Sequence, residues 1–189
     1  MACGGALRAA QPLRLVFARS WKPAWLALAV LLSGSIAVLL QIGHPYWAMV
    51  SAVAPMSAPH VTQQVAKGIQ RVVGTTTGLM PSWLLLGVHL EPVLAVLVIG
   101  LLQFGAEVLV GSNYAAAMLC ITPLALLNGQ LAHPRPITQL LFDRGVETAI
   151  GGAVGIALVL VGHALRERRK AKVDDALAEL RREVAAREV

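Results

Sequence analysis

Six apolar runs, set apart by short polar or proline-containing breaks, account for most of the chain. The first, Ala24 to Ile42, has only Ser33, Ser35 and Gln41 as polar positions. The second, Tyr46 to Ala58, is interrupted by Pro55 and closed by Pro59. Lys67 and Arg71 precede a third, Val72 to Leu90, which contains Pro81. After the turn at Glu91-Pro92 come Val93 to Val110, with Glu107 near its end, and Tyr114 to Leu127, interrupted by Pro123. Val146 to Leu165 is the last and is rich in Gly. About 20 apolar residues cross a bilayer as a helix. The pattern therefore predicts an all-α membrane protein with about six transmembrane helices between residues 24 and 165. Runs two and five are short. If both are re-entrant, four full spans remain. Ile137, Leu140, Leu141 and Phe142 give the polar connection Asn128 to Arg144 the spacing of a short interfacial helix.

Charge sharpens this picture. Of the 189 residues, 57% are hydrophobic and 14% charged, whereas soluble domains average about 25% charged. Between Pro23 and Leu165 the charged residues are Lys67, Glu91, Arg71, Glu107, Arg135, Asp143, Arg144 and Glu147. All the others fall in a basic N-terminus, residues 1–23, or in a tail, residues 166–189. A soluble core of this size needs charged outer faces, and this chain lacks them. Six spans put both termini on one side with the Lys67 and Arg71 loop, and the positive-inside rule makes that side the cytoplasm. The small residues Ser33 to Ala37 imitate a signal-peptide cleavage site, but the apolar run continues past them, so the first span is expected to stay attached.

The two halves match in order. Tyr46 and Pro55 are nine residues apart, as are Tyr114 and Pro123. Arg71, Thr75 and Gly78 recur at the same spacing as Arg144, Thr148 and Gly151. Small residues four apart recur as Gly74/Gly78 and Gly151/Gly155. Three spans per half (about 24–90 and 93–165) would invert the second copy relative to the first. Transporters of that design place substrate at the repeat interface, among interrupted helices. Here the interrupted pair is runs two and five.

The residues Tyr46-Trp47-Ala48-Met49, Gly68 to Gly78, Asn113-Tyr114 and Thr122 to Leu126 resemble the fusaric acid resistance protein-like, or aromatic acid exporter, family. The most specific part is Arg71-x2-Gly74-Thr75-x2-Gly78. The resemblance spans roughly residues 25 to 165. It implies a bacterial inner-membrane protein that exports aromatic carboxylic acids. Many relatives carry a further membrane module and a large cytoplasmic domain, neither of which is in this sequence. That difference implies work as a homo-oligomer or with a partner membrane subunit.

Physical chemistry then nominates residues. Arg71 and Arg144 offer forks of donors that match a carboxylate; the alternative for each is an anchor snorkelling to headgroups. Asp143 and Glu147 are near neighbours of Arg144, with Glu147 expected to pair with it locally. Thr75, Tyr46 and Tyr114 are further candidates for binding substrate, with an interfacial aromatic belt as the alternative for the tyrosines. Glu107, an acid in an apolar run, is the candidate proton carrier, unless it sits in water at the end of its span. Gly74, Gly78, Gly151 and Gly155 are candidate helix-packing positions, with the two Gly/Thr faces set against each other. The five histidines and two cysteines show no metal spacing, and no phosphate loop or nucleophile–base pair is present, so no metal, cofactor or enzymatic activity is expected. No basic stripe interleaves with aromatics, so nucleic acid is not an expected partner. In the tail, Val173, Leu177, Leu180 and Val184 form an apolar seam of under two heptads. The expected function is export by a secondary mechanism. The competing one is a non-transporting assembly module that packs with a partner chain.

Overall fold

The computed structural model describes residues 21–88 and 90–187. The basic stretch before Trp21, and the side chains of Leu180 and Val184 in the tail seam, lie outside the described residues. Among the described residues there are six helices and no strand: α1 Trp21–Leu39, α2 Pro45–Met56, α3 Val61–Gly87, α4 Pro92–Val110, α5 Tyr114–Ala132 and α6 Ile137–Arg187.

The starts follow local chemistry. Proline stands at the first turn of α2 and of α4, where its missing N–H costs nothing. The Asn113 side chain accepts from the amide of Ala116 and caps α5. Prolines 55, 81 and 123 lie inside helices. Two buried serines within the apolar helices satisfy themselves on their own backbone, Ser33 on Ala29 O and Ser82 on Gly78 O at 2.6 Å each.

Among the described residues three helices are long and apolar enough to cross a membrane by themselves: Pro92–Val110, Tyr114–Ala132, and the Ile137–Ala178 part of α6. The apolar part of α1, Pro23–Leu39, is shorter. The 12 residues of α2 reach about 18 Å, less than the roughly 30 Å of hydrocarbon.

Two boundaries differ from expectation. α3 begins at Val61, eleven residues before the apolar run, so Lys67 and Arg71 lie within a helix and not in a loop. Its buried face is built from Gly68, Arg71, Gly74, Thr75, Gly78 and Ser82, a stripe at helical spacing that is small or polar and that hydropathy does not register. The expected separate interfacial helix is instead the first turn of α6, which runs on unbroken into the charged tail.

α1 packs on α2 and α4 on α5, while α3 lies along both α5 and α6, and α6 also receives α2. The core is made of small side chains: Ala29, Ala37, Ala48, Ala52, Ala117, Ser33 and Ser51 are fully buried. This is how helices approach when lipid is as apolar as leucine and van der Waals contact must hold the bundle. A Cβ on Gly74 would meet Met118 Cβ at 2.6 Å and Ala115 O at 2.7 Å, and one on Gly78 would meet Thr122 Cβ at 2.9 Å. Gly151 faces Ala48 O and Ser51, and Gly155 faces Ala52 O and Pro55. The expectation that the two Gly/Thr faces meet each other is thus corrected. Each packs on the proline-interrupted helix of the other half, Gly74/Gly78 on α5 and Gly151/Gly155 on α2.

Candidate functional site

Arg71 projects from the middle of α3 into the bundle and is 5% exposed. Its Nε donates to Ser51 Oγ of α2 at 3.0 Å, and its Nη1 donates to the Tyr114 hydroxyl of α5 at 2.8 Å. These bonds join three helices at one guanidinium. They replace the lipid-anchor reading of Arg71, which needs the head group in water. One turn earlier, Lys67 Nζ donates to Ser57 Oγ at 2.8 Å and stands 4.9 Å from the centre of the Tyr114 ring. A groove of about 420 Å³ opens here, with Met49, Val50 and Val53 as its apolar wall and Lys67, Arg71 and Tyr114 as its polar end.

Arg144, at the corresponding place in α6, is 1% exposed. Its guanidinium carbon lies 3.8 Å from the centre of the Trp47 ring. Nε, Nη1 and Nη2 are all buried and none has a hydrogen-bond partner. Glu147, one turn on and also 1% exposed, does not pair with it. Its Oε1 accepts instead from the backbone amide of His44 at 2.7 Å, at the start of α2. Asp143 is buried as well, with Oδ2 unbonded. The remaining space is about 10 Å³ and is bounded by His44, Trp47, Leu126, Arg144 and Glu147 among others. An ionised group held away from water without partners costs several kcal/mol. Three orphaned donors on one cation make Arg144 the side chain with the most unpartnered buried polar atoms among the described residues.

The two arginines belong to one electrostatic cluster. Arg71 is close enough to repel Arg144, and Glu147 and the hydroxyls of Tyr46 and Tyr114 act on it with the opposite sign. The hydroxyls of Thr75, Thr122 and Thr148 are buried close to the same helix contacts and also lack partners. At the mouth, burial and the charge of Arg135 lower the His44 imidazole below the ordinary histidine range, while Asp143 opposes that shift.

Of the residues nominated from sequence, Arg71, Tyr114 and Arg144 share this cluster, and Thr75 and Thr148 line the same helix contacts. Tyr46 sits at its edge, half exposed, with its ring 4.8 Å from that of Trp47. Glu107 is not part of it. It lies exposed on α4, which packs on α5, and accepts from Gln103 at 2.9 Å. Sequence reasoning missed Ser51, Lys67, Thr122 and the role of Trp47, and took Glu147 for a local partner of Arg144. The repeat register held a signal for Glu147. Counting from Arg71 and Arg144, Glu147 occupies the position of Gly74, so one half carries a carboxylate where the other carries a hydrogen. Among the described residues no three His, Cys, Asp or Glu side chains converge on a metal-sized site.

An all-helical bundle, apolar on the outside, with buried cations and hydroxyls at its centre, defines a membrane protein of transporter-like class. The chain belongs to the fusaric acid resistance protein-like family, whose profile matches residues 28–158. No curated protein and no solved structure proved similar to it.

Proposed function

We propose that the chain exports small aromatic carboxylates across a bacterial inner membrane by a secondary mechanism, with both termini in the cytoplasm. The observation that carries this reading is the Arg144 guanidinium, buried against Trp47 with no partner for any of its three nitrogens. Once the helices around the small cavity part to admit it, a planar carboxylate matches that fork with two charge-assisted bonds, and the neighbouring indole suits an aromatic ring beside it. Arg71, Tyr114 and Lys67 at the open groove form a second cationic station for the same anion.

The six helices read as two inverted halves, about residues 24–90 and 93–165. In support, α1 sits on α2 as α4 sits on α5, and each arginine-bearing helix packs on the interrupted helix of the other half. The short α2 suits the discontinuous elements that such transporters place beside substrate. The basic residues of both ends and of α3 orient that side toward the cytoplasm. The nearly bare α4, with only Ala95 and Ala106 buried, suits a second copy or partner subunit in the bilayer.

Everted vesicles carrying the protein should accumulate labelled benzoate, and Arg144→Ala should abolish that accumulation while preserving yield and elution volume. Accumulation no greater than in vesicles without the protein overturns the reading.

A further inference from the structure

We propose that a bound anion and the Glu147 carboxylate compete for the Arg144 guanidinium, so that each carboxylate taken up brings one proton onto Glu147. This rests on the carboxylate-binding reading of the same site.

Three features of the geometry lead there. Arg144 and Glu147 are three residues apart on one helix, the spacing at which side chains of opposite charge meet. Yet the guanidinium is left entirely without partners, and Glu147 is held the other way, by the His44 amide. A backbone amide donates to the carbonyl oxygen of a carboxylic acid as well as to an ionised carboxylate, though more strongly to the carboxylate. Glu147 can therefore stay in place in either state, with the proton on the oxygen that His44 does not hold. The second feature is space. The cavity that both side chains bound is about 10 Å³, so an anion that reaches Arg144 must lie against Glu147. The third is chemistry. Two carboxylates confined together out of water cannot both stay ionised, and they keep one proton between them. The proton comes from water. Once bound, it removes the repulsion and lets the Glu147 hydroxyl donate to the incoming anion. When the proton leaves, ionised Glu147 is free to turn to Arg144 and displace the anion.

The surrounding charged and titratable groups are Asp143 and Arg144 on α6 itself, Arg71 from α3, Tyr46 from α2, Tyr114 from α5, His44 from the link before α2, and Arg135 before α6. Asp143 is a less suitable carrier. Its carboxylate lies against Gly43, as the Arg135 guanidinium does, and it does not line the cavity at Arg144. His44, with His133 beside it, also carries a titratable imidazole, but it holds Glu147 through its backbone. His44→Gln keeps that donor and removes the imidazole.

The test uses purified full-length protein in detergent with benzoate, whose own carboxyl stays ionised throughout. Between about pH 6 and about pH 8.5, benzoate affinity should fall with rising pH, approaching about tenfold per unit, the slope of one proton per anion. Calorimetry in buffers of different ionisation enthalpy should show about one proton taken up per benzoate bound. In Glu147→Gln affinity should be flat across that range, and in His44→Gln the slope should persist. Binding that is tight but independent of pH, with no proton uptake by the wild-type protein, overturns this inference and leaves the export reading standing. A slope lost in His44→Gln and kept in Glu147→Gln overturns it as well. No binding at any pH by folded protein overturns both. The proton count needs only the wild-type chain, so poor folding of a variant does not remove the test.

Discussion

The Arg144 guanidinium carbon sits 3.8 Å above the centre of the Trp47 ring. The indole face is the one direct contact recorded for this guanidinium among the described residues, since its nitrogens have no hydrogen-bond partner; Arg71 repels it, and Glu147 attracts it without pairing. A desolvated cation–π contact is worth roughly 2 kcal/mol. Trp47→Leu should therefore lower the thermal midpoint clearly, while Trp47→Phe, which keeps a weaker π face, should recover part of the loss. Equal midpoints for the two variants would show that packing, not the ring's charge distribution, is what Arg144 needs.

Arg71 should not tolerate lysine. The fork serves Ser51 through Nε and Tyr114 through Nη1 at once, which a single ammonium cannot reproduce in that geometry. A double-mutant cycle between Arg71→Lys and Tyr114→Phe should give a coupling of about 1–2 kcal/mol in chemical unfolding. Additive losses would remove the hydrogen bond from the account.

The glycines should separate into two groups. Gly151→Ala would drive a methyl onto the carbonyl oxygen of Ala48, backbone that cannot turn aside, and should cost about 1–3 kcal/mol through overpacking. Gly100, in the middle of α4, has nothing within 4 Å. Gly100→Ala should be neutral or stabilising by up to about 1 kcal/mol. Unfolding midpoints of the two variants, measured side by side, decide the matter.

Glu107→Gln should leave gradient-driven benzoate accumulation in everted vesicles unchanged, because Glu107 is exposed on α4 beside Gln103 and apart from the arginine cluster. Loss of accumulation, with folding intact, would return the proton-carrying role to that residue.

His44 should titrate below the ordinary histidine midpoint of about 6.5. In the window just beneath that midpoint the unfolded chain binds more protons than the folded one, so stability is full above it and declines as the pH falls through the folded-state value. The histidine proton resonances report the midpoint directly. Thermal unfolding against pH should show the decline, and His44→Gln should flatten it.

The arginine pair was legible in the sequence because an identical spacing of arginine, threonine and glycine recurs, and repeats of that kind bring equivalent residues to equivalent places. The all-helical membrane character was legible for an equally direct reason, the exclusion of charge from the middle of the chain. The start of α3 was hidden. Its first eleven residues are helical yet mostly polar, and hydropathy detects apolar surface, not backbone geometry. The first turns of α6 read as a separate interfacial helix in the sequence, because Asp143 and Arg144 interrupt the apolar run that hydropathy follows. Glu147 was misread because proximity along a helix suggests a local ion pair. The amide that binds it belongs to a residue 103 positions away, and no local pattern announces that contact. Glu107 drew attention as an acid in an apolar run, but composition alone cannot tell the inner face of a span from its outer one.

α6 is one unbroken helix of 51 residues, roughly 76 Å from end to end. Arg144 and Glu147 are in its second and third turns, and its far end lies well outside the bundle. Such a rod works as an indicator needle. A tilt of about 5° at the arginine cluster would swing the far tip by roughly 6 Å, given the helical rise. A tilt set at the arginine cluster would thereby be magnified into a displacement that a spin label near Arg182 can report.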